Sequence, residues 1–239
     1  MNPLCTARLP SPLPPRKLVE GGAPPLVATE KRGHRWKRGK VIRYHFLPSN
    51  DTNPDEEQAV RDAMATWLAG GANIRFEEVG DPMDADVRIL IDFGLALSRS
   101  HTGTDCSKID PPAPTTWFGQ SLRDEEGMGV ALHEIGHVLG LTHEHQNPDC
   151  PIEWNEDEVF AHYASQLSKP DIRLYVLDKA EDEKIEGTET SRWDGESVMH
   201  YDIPAKLIRA PADLARDGVR RSETLSKGDE EWVIAAYAP

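Results

Sequence analysis

Apolar and polar residues alternate over residues 41–46, and the apolar ones are mostly β-branched or aromatic, which predicts a half-buried strand. The period then changes. Val60, Ala63, Met64, Trp67 and Leu68 fall at helical spacing and predict a helix over residues 55–68, stopped by Gly70 and Gly71. Residues 74–79, with Ile74 and Phe76 on one face, and residues 87–91, with Val87, Ile89 and Ile91 in period two, predict two more strands. A short strand is expected at 115–118, between Pro114 and Gly119. Ser121 with Asp124 marks a capped start for a helix running to about Leu139, and Gly140 is placed to end it. Asn155 with Glu158 caps a further helix bearing Val159, Phe160, Tyr163 and Leu167. Ser226 with Asp229 caps a last one that buries Trp232, Val233, Ala236 and Tyr237. Strand, helix, strand, strand predicts a mixed sheet in a layered arrangement with helices.

Charge narrows the classes of partner. The 239 residues carry 27 Lys and Arg against 41 Asp and Glu, a net charge of -14, which repels a phosphate backbone. No run of about 18 apolar residues occurs, so no membrane-spanning helix is expected. The length suits one domain or two close-packed subdomains that need no staples. Cys5, Cys106 and Cys150 do not make a disulfide framework. A Cys106–Cys150 bridge stays open, because spacing does not give the geometry it needs.

Residues 1–30 contain seven prolines and read as a flexible leader without the apolar run of a signal peptide. A cytoplasmic location is the expectation by default, with non-classical secretion as the alternative. The basic stretch at 31–43 around Trp36 reads as a charged surface arm, and the acidic run at 181–189 as a solvated loop.

The chemistry is concentrated in the helix that ends at Gly140. His133 and His137 are one helical turn apart on the same face, so both imidazoles can reach one ion. Glu134 projects about 100° away, near enough to meet a ligand of that ion without binding it. Gly140 permits a sharp left-handed turn, and His143 follows as a third ligand. Three neutral nitrogens leave a fourth position open for water, the arrangement of a catalytic zinc site. Five fixed positions at roughly 1 in 20 each make a chance match about 1 in 10,000. No Gly-x-Ser-x-Gly and no phosphate-cradling glycine loop competes with it.

With this motif, Ser197-Val198-Met199-His200-Tyr201 makes the sequence resemble the metzincin clan of zinc peptidases. Within the clan it is similar to the astacin-like peptidases, of the microbial type. Glu144 directly after the third histidine and the Ser-x-Met-His-Tyr turn carry that choice. Gly103-Thr104-Asp105, residues 114–119 and 143–148, and Leu225-Ser226 support it. Leu141 stands where animal astacins usually have Phe, and the glycine-rich calcium repeats of serralysins are absent.

The resemblance implies an α+β, zincin-like metzincin catalytic domain: a mixed twisted sheet, a zinc-site helix and a smaller irregular or helical C-terminal subdomain. The expected layout is a leader at 1–30 and a catalytic domain at 31–239, divided into subdomains 36–143 and 144–239, the second holding the Met-turn. The resemblance also implies one catalytic zinc on His133, His137 and His143, with Glu134 as general base. It makes Tyr201 a movable fifth ligand and oxyanion donor, and Met199 an apolar floor under the imidazoles. The strand at 115–118 would be the edge that pairs with an extended substrate. The function expected is a zinc-dependent metalloendopeptidase that hydrolyses internal peptide bonds through a zinc-activated water. The alternatives are a catalytically weak zinc-binding interaction protein and a zinc amidase. Glu134 and Tyr201, neither needed to hold zinc, weigh against the interaction protein. The expected partner is a peptide or protein substrate, with no nucleic acid and no membrane, and the chain a monomer.

Overall fold

The computed structural model describes residues 34–95, 97–165, 167–179 and 193–239. The leader at 1–30, Cys5 and the acidic run at 181–189 lie outside the described residues. Strand β1 (Val41–Leu47) buries Ile42, Tyr44 and Phe46, as its alternation requires. Helix α1 (Pro54–Leu68) begins at Asn53, whose side chain accepts the N–H groups of Asp55 and Glu56. Proline at the first helical position and three acids in the first turn complete a favourable start.

Strands β2 (Arg75–Glu78), β3 (Val87–Ile91), β4 (Arg99–Ser100) and β5 (Thr116–Phe118) join β1 in one sheet, ordered β2-β1-β3-β5-β4. Its first four strands are parallel, and β4 runs antiparallel to β5. The sheet, α1 and helix α2 (Glu125–Val138) share one core, in which the Trp67 indole donates to the Leu132 carbonyl at 2.8 Å.

The strand at 115–118 forms but is not the edge. Arg99 pairs with Trp117 and Ser100 with Thr116, so the open edge belongs to β4. Two polar residues have no periodicity for a sequence pattern to register. Ser121 is not the cap of α2. Asp124 takes that place and accepts from Gly127 N at 2.8 Å. Ser121 instead donates to Glu56, a fully buried carboxylate that also accepts from Leu122 N at 2.7 Å and pairs with Arg123 at 3.0 Å. Glu56 thereby fixes the approach to α2 from the start of α1.

The C-terminal end of α2 has all its carbonyls matched. Gly140, at φ +103°, donates to His137 O, and Leu141 N reaches back to Gly136 O. The Trp36 indole donates to Val138 O at 2.7 Å, and the Tyr237 hydroxyl donates to Leu139 O. Trp36 is therefore a core residue at 6% exposure rather than part of a surface arm.

The second apolar cluster gathers strands β6 (Glu153–Trp154) and β7 (Ile208–Ala210), and helices α3 (Glu156–Tyr163) and α4 (Lys169–Ile172), the latter followed by a π-helical turn, Arg173–Leu177. Helix α5 (Ala212–Asp217) packs beside them. Asn155 stands before α3 without a side-chain cap bond. Helix α6 (Lys227–Ala236) opens with the expected reciprocal Ser226–Asp229 box, and its Val233 and Ala236, with Tyr237 just beyond, return to the first core. Cys106 and Cys150 are both free and buried, one in each cluster, so no bridge forms.

Candidate metal centre

Helix α2 carries His133 and His137 on successive turns, and the Gly140 turn brings His143 back beside them. All three are buried. His137 Nε2 lies 3.2 Å from His133 Nε2 and 3.1 Å from His143 Nε2. The opposite nitrogens explain this crowding. His133 Nδ1 lies 2.7 Å from Val198 O, and His137 Nδ1 lies 2.9 Å from Leu141 O. A carbonyl only accepts, so both Nδ1 atoms carry the proton and both Nε2 atoms present lone pairs. Lone pairs held together in a buried site need a cation between them. Tetrahedral zinc with nitrogens at about 2.0–2.1 Å sets its ligands about 3.3 Å apart, which this triad fits. Burial pushes the His133 pKa down to about 4, so the ring is neutral at pH 7 as a ligand must be. The triad is the one group of three or more metal-ligating side chains among the described residues.

Glu134, next to His133 on the helix, is fully buried. Arg99 on the edge strand β4 feels the Glu134 carboxylate, which partly offsets the downward effect of burial on its guanidinium. Strand β4 also packs against α2, which places the open sheet edge beside the helix of the histidines. Arg99 lies over the Trp117 ring, 4.2 Å from its centroid.

Met199, the residue expected as the floor, has no exposure and packs against α2 at Gly136. A Cβ on Gly136 would come within 2.4 Å of its sulfur, so glycine between the two helical histidines is what lets the floor approach. The turn above Met199 is pinned from α6. Ser197 Oγ donates to Asp229 at 2.6 Å, and Val198 N donates to the same carboxylate at 2.9 Å. Asp229 thus orients the peptide whose carbonyl holds His133. Burial raises the Asp229 pKa against these hydrogen bonds.

Tyr201 joins the site, but its hydroxyl sits 3.2 Å from His143 Nδ1, on the side of that ring away from the other two histidines. Glu144 accepts from Asp194 N at 2.8 Å and from Asn147 Nδ2 at 2.9 Å, and burial pushes its pKa up to about 7. It ties the loop after His143 to the segment before the Met-turn. Three residues have roles the sequence pattern did not give them: Asp229, read there as a helix cap, pins the Met-turn, Arg99 lies at the edge, and His145 stacks its ring on Tyr201. A histidine two residues after a ligand was the available signal for the last.

The profile of the astacin family of peptidases matches residues 28–207. The chain belongs to the astacin family. Myroilysin has the same fold at TM-score 0.71 and 27% identity, over 86% of this chain and 96% of that one. High choriolytic enzyme 1, a hatching enzyme zinc-protease from the medaka fish Oryzias latipes, shares the fold at TM-score 0.53 and 18% identity, over 85% and 94% of the two chains. A serralysin from Photorhabdus luminescens is 26% identical over 173 residues, 68% of this chain and 34% of that protein. The chain spans about a third or less of the curated relatives it matches. As an astacin it has the mixed sheet and site helix of the zincin-like α+β class, and its three histidines match the family's single catalytic zinc.

Proposed function

We propose that this astacin is a zinc-dependent endopeptidase that hydrolyses internal peptide bonds of extended polypeptides. The observation that carries the reading is the convergence of three Nε2 atoms beside the buried Glu134 carboxylate, next to an open strand edge. When bound, zinc supplies a Lewis acid that polarises the scissile carbonyl and makes water nucleophilic near neutral pH. His133, His137 and His143 hold it. Glu134 takes the proton of the attacking water and passes it to the leaving amine. Tyr201, moving off His143, donates its hydroxyl to the oxyanion of the tetrahedral state. The free edge of β4 adds the substrate as a further strand and aligns its backbone across the site.

A net charge of -14 supports a polypeptide rather than a nucleic acid as the partner. Casein digestion with and without a chelator tests the proposal. Cleavage into internal fragments, lost on chelation and restored by zinc, is expected. No cleavage by protein containing one zinc would favour a binding role, and release of acyl groups from small amides alone would favour an amidase.

A further inference from the structure

The ring of His145 is 1% exposed and lies outside the ligand set. It stacks on Tyr201 with centroids 4.7 Å apart and planes inclined by 29°. Tyr201 in turn packs on His143 at 4.3 Å, and His143 on His145 at 5.5 Å, so the three rings form a closed triangle. His145 is itself anchored. Its Nε2 donates to the Tyr175 carbonyl at 3.1 Å, in the π-helical turn at the C-terminal end of α4. Its neighbour Gln146 donates to Leu174 O and Asp178 O on the same turn, at 2.9 and 3.0 Å. The other ring nitrogen of His145 is buried without a partner among the described residues. Packing alone favours a phenylalanine here, which leaves no polar atom unmatched. What the histidine adds is the Tyr175 bond, which fixes the plane of the ring.

We propose that His145 is a positioning residue that acts through Tyr201. Its fixed face confines the phenol to sliding in its own plane, so the hydroxyl stays within reach of both His143 and the reacting carbonyl. The proposal rests on the reading of Tyr201 as an oxyanion donor, and the test separates the two.

Three variants of the zinc-loaded protein decide it: His145→Gln, which can keep the donor but loses the ring; His145→Phe, which keeps a ring but loses the donor; and Tyr201→Phe. His145→Gln is expected to keep one zinc by elemental analysis and an unchanged KM, and to lose about 10-fold in kcat, the scale of a misplaced group. His145→Phe should lose less, about 3-fold, because the face that confines the phenol remains but the Tyr175 bond that fixes it is gone. In the Tyr201→Phe background neither His145 change should cost more, since the residue it positions has lost its hydroxyl. Crystals of His145→Gln should show the Tyr201 hydroxyl displaced from His143 Nδ1.

An undiminished kcat in His145→Gln overturns the proposal. So do losses that multiply with those of Tyr201→Phe, or loss of zinc from the His145 variants. If His145→Gln does not fold, His145→Phe carries the test, and a 10-fold or greater loss of its kcat with zinc retained overturns the role of the ring face. An unchanged kcat in Tyr201→Phe alone is a different failure: it removes the oxyanion role itself.

Discussion

On the helix side of the site, His133 and His137 give their Nδ1 protons to the main-chain carbonyls of Val198 and Leu141, at 2.7 and 2.9 Å. On the loop side, His143 turns the corresponding nitrogen to a side chain, the Tyr201 hydroxyl at 3.2 Å. The carbonyls belong to turns that are themselves pinned, one by Asp229 and the other by the closure of α2 at Gly140. The phenol belongs to a side chain held by ring packing on His143 and His145. Two ligands are thus oriented by backbone and one by a side chain. The partners of metal-bound histidines tune ligand basicity as well as direction. A reaction that needs Tyr201 elsewhere can therefore alter His143 without disturbing the other two.

The largest effect belongs to the rigid half. Glu134→Gln is expected to keep one zinc and lose at least about 100-fold in kcat, the scale of a positioned general base. Near-normal turnover of the zinc-loaded variant would remove Glu134 from the mechanism and leave the helix side with ligands alone.

Asp229→Ala attacks the pin of that half. It strips the acceptor from Ser197 Oγ, Val198 N and Ser226 N, and buried donors left unmatched cost about 1–3 kcal/mol each. A loss on the order of 3 kcal/mol in chemical denaturation, with weaker zinc retention, is expected. Lost stability with zinc affinity intact would show that His133 does not depend on the Val198 peptide.

The smallest effect is expected at the junction of the two halves. Gly140→Ala forces a Cβ onto a residue at φ +103° and against Arg35 Cγ at 3.2 Å. The cost is about 1–3 kcal/mol, read as a lowered melting temperature. Because His143 follows this turn, zinc affinity should fall with it. An unshifted melting temperature would mean that the turn relaxes.

The sequence makes the helix side of this comparison far more readable than the loop side. His133, His137, Gly140 and His143 obey a fixed spacing because one helix and one turn place them. Val87–Ile91 is readable because a central strand buries a periodic face. The edge at Arg99–Ser100 is not, since two polar residues paired on one side leave no periodic trace. Ser226–Asp229 declares a cap, yet the same carboxylate's hold on Val198 depends on a contact between segments 31 residues apart. Trp36 sits among basic residues and looks like surface, and its partner, Val138, is 102 residues away. The stacking of His145 on Tyr201 likewise exists only once the loop after His143 has met the Met-turn.

The end of α2 is closed by two aromatic donors, Trp36 and Tyr237, that come from far apart in the chain. Closure of the helix end is thus a long-range property, reaching 102 residues to Trp36 and 98 to Tyr237. Neither the Val138 nor the Leu139 carbonyl finds its partner within the helix, so the local sequence that forms α2 does not by itself close its end. The turn that aims the third histidine keeps its own Gly140 and Leu141 bonds, and the two aromatics seal it from outside. Losing either aromatic is expected to loosen the aim of His143, even though all three histidines stay covalently in place.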